Sequence, residues 1–361
     1  MKTDEIATRV SVIATAILLF GVSSAFGQGK SELPSKDEVK VLLRRAAEET
    51  DLRSTGSPAF HLLVKAKSFG EKGEIVEGIY ELWWGASDHW SGRILWANIA
   101  EVNVADNNRI WKQGHDTHLV ESRRLWHILD FSGRLKWSAQ ATVRKVKSRE
   151  LYGQSAVCAQ IPFELPISGP EQPVHTSGMP SERTICMESM SGLPLRINTG
   201  SSQLELGEYI AFSQKRFPKT LRLTHNGKTI MEVEVESLEE FDLTKSNVFA
   251  VPLGAASNPW CSNMVTPLPT RLGSPSSFPI PPSPNSVGFP LDLDITKSFV
   301  ILFRVGETGT VRDVNAFIPG GEVLLKEKEK SALLKSTFRP ATCHGNAIEG
   351  AFPMEFHFPF F

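Results

Sequence analysis

The sequence predicts an α+β protein: a leading helix, a long antiparallel sheet, a proline-rich linker and a small ββαβ C-terminal domain. Three observations predict it. A helical period opens the first region at residues 36–51. Short runs of aromatic and β-branched residues, broken by Gly, Asn and Asp, continue to Glu236. A β, β, α, β succession follows residue 290. The 39 Lys and Arg nearly cancel the 40 Asp and Glu, which argues against a general nucleic-acid binder.

In chain order, Lys2 and Arg9 flank a polar start, and residues 10–22 form an uncharged apolar run followed by small residues at Ser23, Ala25 and Gly27. This pattern reads as a secretory signal over residues 1–27, with cleavage after Ala25 or Gly27. The competing reading is an uncleaved inner-membrane anchor, because the charge-free stretch reaches residue 27, close to the shortest length that spans a bilayer. Export to the periplasm places the chain in an oxidising compartment, where cysteines tend to pair. Cys158 and Cys186 fall in one region and Cys261 and Cys343 in another, so pairing within each region is expected. With no CxxC and no histidine two to four residues from a cysteine, a zinc site is the weaker alternative.

Residues 36–51 carry Val39, Leu42, Leu43, Ala46 and Ala47 at helical spacing, and Gly56 and Pro58 stop the helix. Strands are expected over 61–68, 74–84 and 90–97, and onward to Glu236. Residues 217–236 read as a hairpin. A two-residue Asn226-Gly227 turn would put Leu221 opposite Glu232, so a three-residue loop including His225 is expected, with Leu221 opposite Met231. Met231, Val233 and Val235 then share an inner face, and Glu232, Glu234 and Glu236 face water.

Seven of the eight tryptophans lie between Trp83 and Trp137, around the segment GIYELWWGASDHW at 78–90. With the leading helix and the antiparallel strands, residues 34–250 resemble the lipoprotein-carrier family of LolA and LolB. That resemblance implies a half-barrel whose concave side takes lipid or acyl chains. Trp83, Trp84, Trp90 and Trp96 are the candidate cavity residues, unless they simply fill a sheet core. The basic stretch Arg134, Lys136, Arg144, Lys145, Lys147 and Arg149 reads as a solvated strand face, with anionic head groups as the alternative.

Residues 264–290, rich in proline and serine without an apolar period, read as an extended linker. Beyond it, 299–305 and 311–318 read as a hairpin, 322–335 as a helix ended before Pro340, and 351–358 as a final strand. GTVRDV at 309–314, FRPA at 338–341 and FPMEFHF at 352–358 make residues 291–361 resemble the TonB C-terminal domain. Ser336 stands where that family often has tryptophan, and Pro290-Leu291-Asp292 stands where it has Tyr-Pro. The resemblance implies binding of an outer-membrane receptor or other cell-envelope protein, in energised transport, by strand addition beside Phe352, Met354, Glu355, Phe356, His357 and Phe358. The Phe352, Phe356 and Phe358 rings are the alternative core residues, packing near Leu324 and Leu333.

No catalytic pattern is present: no G-x-S-x-G, phosphate-binding glycine loop or HExxH. His115 and His118 are spaced three apart in a region read as strand, which would point them to opposite faces. The expectation is a non-enzymatic binding protein with no cofactor and no metal.

Overall fold

The computed structural model describes residues 33–356, with breaks at 55, 71–72, 87, 98, 107–108, 115–117, 163–181, 246, 260–282, 287–298, 320 and 344–345. The expected signal segment and most of the expected linker lie outside the described residues. No helix among the described residues is long and apolar enough to cross a membrane.

The elements run α1 (Lys36–Thr50), β1 (Phe60–Phe69), β2 (Ile75–Ala86), β3 (His89–Trp96), β4 (Ile99–Asp106), β5 (Arg109–Gly114), α2 (Leu119–Leu129), α3 (Phe131–Gln140), β6 (Lys145–Leu151), β7 (Gln154–Pro162), β8 (Glu182–Glu188), β9 (Pro194–Thr199), β10 (Ser202–Phe212), β11 (Lys215–His225), β12 (Lys228–Glu240) and β13 (Ala256–Pro259). Then follow β14 (Ser283–Ser286), β15 (Phe299–Val305), β16 (Val311–Ile318), β17 (Gly321–Val323), α4 (Glu327–Leu334), β18 (Thr337–Arg339), β19 (Ala341–Cys343), β20 (Asn346–Ile348) and β21 (Gly350–Phe356). The expected α+β class with a dominant antiparallel sheet is present. That sheet is open, with 13 strands in the order β13-β5-β4-β3-β2-β1-β12-β11-β10-β9-β8-β7-β6.

Helix α1 starts where Ser35 and Glu38 form a reciprocal capping box, the Glu38 N–H donating to Ser35 Oγ at 3.3 Å and the Ser35 N–H to Glu38 Oε2 at 2.6 Å. Its Val39, Leu43, Ala46 and Ala47 are buried, as their spacing predicts.

Strict alternation gives the sheet two unlike faces. One row of cross-strand neighbours runs Leu206, Leu221, Val233, Ala66, Gly78, Trp96 over β10, β11, β12, β1, β2 and β3, and it faces α1–α3. A neighbouring row on the other face runs Arg196, Glu205, Arg222, Glu232, Lys67, Glu77 over β9 to β12, β1 and β2. Its signs alternate, and the Arg222–Glu232 and Lys67–Glu77 pairs close at 3.1 and 3.0 Å. Each exposed pair contributes little alone, but an opposite sign at each crossing avoids like-charge neighbours.

The β11–β12 hairpin corrects one expectation. Its loop is the two-residue Asn226-Gly227 turn, with both residues at positive φ (50° and 75°) as a primed turn requires. A register shift beyond Leu223 sets Leu223 opposite Met231 and Leu221 opposite Val233. The bulge, not a longer loop, restores the apolar face. Met231, Val233 and Val235 are buried as expected.

The strand run is also interrupted where strands alone were expected, by α2 and α3. Arg134 and Lys136 therefore sit on a helix, not on a strand face. In α2, Leu125, Ile128 and Leu129 join the core of the large sheet, while Val120 packs with Val300 and Phe317 of the C-terminal sheet.

That smaller sheet has the order β17-β16-β15-β21. Its β15 is apolar nearly throughout because both faces are covered. Ile301, Phe303 and Val305 meet Val314, Leu333, Phe338 and Phe352, and Val300 meets α2. The expected helix over 322–335 is shorter, since Gly321–Val323 pairs with β16 before α4 begins. Leu324 is 95% exposed, and Phe352 packs instead with the cluster that holds Leu333; the side chains of Phe356 and Phe358 lie outside the described residues. Within the expected linker, Ser283–Ser286 pairs with β18.

Cys158 and Cys186 stand directly opposite on β7 and β8 and form the expected disulfide, with sulfurs 2.09 Å apart. Cys261 and the Cys343 side chain lie outside the described residues. The bridge spans a sequence separation of 28 residues, and loop closure of that size restricts the unfolded chain by about 3–4 kcal/mol. We expect a Cys158→Ser/Cys186→Ser variant to lose about that much unfolding free energy in urea titration, and equal midpoints for the two proteins would contradict this.

Candidate binding site

The apolar face covered by α1–α3 is the candidate site. Strand alternation sends Phe60, Leu62, Val64 and Ala66 of β1 and Tyr80, Leu82 and Trp84 of β2 to this face. Helices α1 and α3 lie across it and meet it with Leu43, Ala47, Phe131 and Leu135. Of the candidate tryptophans, Trp84, Trp90 and Trp96 reach the core there, at 8%, 0% and 1% exposure. The structure does not bring Trp83 to them. One residue from Trp84 on the same strand, it points to the other face, where it stacks on His61 with centroids 4.7 Å apart. Trp96 packs over Gly78, where a Cβ would overlap the indole ring, and its Nε1 donates to Ser122 Oγ of α2 at 2.7 Å. The tryptophans thus pin the helices to the sheet.

One cleft at this face, beside Leu52, Phe60, Leu62, Leu82, Leu129 and Phe217, has a volume of 20 Å³. That is room for about one water molecule, so an acyl chain enters this cleft only if the helices move.

Two ion pairs hold those helices at the rim. Arg53, just after α1, donates to Asp130 Oδ1 between α2 and α3 at 2.9 Å, with the two side chains 8% and 6% exposed. Lys136 of α3 pairs with Asp51, which also accepts the Arg53 backbone N–H at 3.0 Å. Arg53 lies 5.9 Å from the Trp84 ring centroid. Burial raises the Asp130 carboxyl to about 6 from an ordinary 3.8, against the opposing pull of the Arg53 and Arg134 charges. Deeper in, the Tyr80 hydroxyl is buried among apolar side chains with no hydrogen-bond partner, and desolvation raises its pKa. An orphaned hydroxyl in such a place costs stability until something pairs with it.

Sequence reasoning missed Asp51, Arg53, Tyr80 and Asp130 as site residues. The signal for the helices that assemble them was present, since Leu125, Ile128, Leu129 and Phe131, Leu135, Ala139 recur at helical spacing.

The other candidates fall elsewhere. Glu232, Glu234 and Glu236 lie on the opposite face of the sheet, with Glu236 held by Lys65 at 2.9 Å. His118 precedes α2, and His115 lies outside the described residues. No group among the described residues could hold a metal ion. Strand β21 pairs with β15 alone among the described residues, so Phe352, Met354, Glu355 and Phe356 lie on an edge strand. His357 and Phe358 lie outside the described residues.

No family model matches the chain, and no curated protein does. Among solved structures, an outer membrane lipoprotein-sorting protein domain from Vibrio parahaemolyticus is 12% identical over 57% of this chain and 95% of that one, with a TM-score of 0.36. A LolA superfamily protein from Nitrosomonas europaea is 9% identical over 57% and 94%, at 0.37. A chain of the MucA/MucB complex of Pseudomonas aeruginosa is 12% identical over 84% and 99%, at 0.27. At these scores the likenesses carry no assignment of family or function.

The raised Asp130 pKa fixes a sign. The native state holds a proton there between about pH 4 and 6 that the unfolded chain releases, so this group's contribution to stability is lost as pH rises through about 6. Asp130→Asn removes that dependence. Unfolding titrations of both proteins from pH 4 to 7 should show wild type losing stability relative to the variant as pH rises, and parallel profiles would refute the assignment.

Proposed function

We propose that the protein is an exported, non-enzymatic binding protein of the cell envelope that takes an apolar, acyl-type ligand between this apolar face and the helices above it. One observation carries the reading: an apolar wall is roofed by helices held by ion pairs at the rim, with the unpartnered Tyr80 hydroxyl beneath them. Such an interior suits a hydrocarbon chain bearing one polar group, with Tyr80 pairing with that group. The disulfide accords with an oxidising compartment. Ligand entry breaks the Arg53–Asp130 and Lys136–Asp51 pairs, which tie α1 to α3.

The test is uptake of a fluorescent fatty-acid probe, followed through the emission of the buried tryptophans. Wild type should bind saturably, and Arg53→Ala/Lys136→Ala should take the probe up several-fold faster. No uptake of any acyl probe by either protein would sink the reading.

The open edge of β21 favours a second reading, in which an extended segment of an outer-membrane receptor or other envelope protein adds to the small sheet. Pro353 stands opposite Leu302 in this strand. Proline is accommodated where its nitrogen faces the open edge, which turns the N–H of Glu355, two residues on, to the same edge. Glu355→Pro should therefore abolish capture of a receptor-plug peptide without lowering the thermal midpoint. Equal capture by both proteins would exclude strand addition at this edge.

A further inference from the structure

On the face away from the helices, opposite signs alternate along one row of the large sheet from Glu77 to Arg196. Past Arg196 the row runs through Cys186 and Cys158 and ends on Lys147 of β6. Strand alternation puts Lys145 and Arg149 on the same face as Lys147. All three are exposed, and the residues opposite them on β7 are Gln160, Cys158 and Ala156, none of which carries a charge. The carboxylates of β6 and β8 are engaged or turned away: Glu182 pairs with Arg144 at 2.9 Å, Glu188 accepts the Ser191 hydroxyl, and Glu150 lies on the other face of β6. The alternation of sign therefore stops at three cations on the last strand.

That strand also carries open main-chain groups, since among the described residues β6 pairs with β7 alone. The Arg144 N–H donates to the Gln160 carbonyl at 2.8 Å, so Gln160 turns its backbone toward β6, and alternation turns Cys158 and Ala156 the same way. Their partners Lys145, Lys147 and Arg149 are thus bonded to β7, and the N–H and C=O groups of Val146, Ser148 and Glu150 face the open side. The edge is held in place, because Val146 packs on the large core and the Cys158–Cys186 bridge fastens β7 to β8 behind it.

We propose that β6 takes an acidic, extended segment of a partner protein as the next strand of the large sheet, with carboxylates at alternate residues opposite Lys145, Lys147 and Arg149. The main-chain groups of Val146, Ser148 and Glu150 supply the ladder, which any extended chain could use. The three cations supply the selection, because cross-strand pairs of opposite sign are favourable and pairs of like sign are not. The bound segment resumes the alternation of charge that the sheet itself breaks off.

The probe is a fluorescein-labelled, end-blocked peptide as long as β6 in which glutamate alternates with threonine, followed by anisotropy with the full protein at low salt. Saturable binding is expected, and a peptide of the same composition with its glutamates contiguous should bind more weakly. Lys145→Glu/Lys147→Glu/Arg149→Glu should weaken binding by about tenfold or more and instead capture the peptide with lysine in place of glutamate. Ser148→Pro removes an outward N–H at a position where an edge strand accommodates proline, and it should weaken binding with the charges intact. Thermal midpoints confirm that the variants fold. The proposal is overturned by absence of saturable binding, by equal binding of the two acidic peptides, or by binding that either variant leaves unchanged. Cosedimentation with phosphatidylglycerol vesicles in place of peptide capture would assign the cations to a lipid surface and overturn it as well.

Discussion

Everything in this molecule follows from a two-residue period maintained across more than ten paired strands. A sheet of this width with one oily face and one charged face cannot stay flat in water, because the oily face needs cover and strands twist as they pair. Packing α1–α3 on the oily face supplies the cover. Gly78 in the central row leaves room for the Trp96 indole, which reaches Ser122 of α2, so a covering helix is held by a side chain of the sheet itself. The charged ladder on the reverse keeps the same strands soluble.

Helix α2 turns that wrapped sheet into a larger unit. Its Leu125, Ile128 and Leu129 belong to one core and its Val120 to another, on different sides of one helix. The C-terminal sheet thus docks on an element whose position the first core already sets. Such two-sided use explains why β15 is apolar on both faces, whereas β1 alternates.

Much of the fold was legible wherever local pattern and tertiary environment agree. The period of Val39, Leu43, Ala46 and Ala47 and the alternation of Met231, Val233 and Val235 are written into the chain because each face meets one environment. Legibility failed where an environment comes from distant sequence. The alternation around Asn226-Gly227 gave no sign that a bulge would repair the register, since a bulge changes pairing without changing composition. In residues 119–140 the aromatic and basic residues obscured a helical period that tertiary packing makes plain. The rim pairs were illegible for the same reason. Asp51 and Lys136 are ordinary surface residue types until α1 and α3 are set side by side.

The open sheet must end somewhere, and β6 is where it ends on one side. Lys145, Lys147 and Arg149 are exposed along that strand, so two molecules approaching edge to edge bring like charges together before any backbone hydrogen bond can form. The barrier is electrostatic and therefore conditional. Within a Debye length of about 8 Å at physiological ionic strength the repulsion persists, while at about 1 M salt it is screened to roughly 3 Å. The solution's salt content thereby becomes a determinant of colloidal behaviour, separating dispersed molecules from a state in which sheets can join end on end.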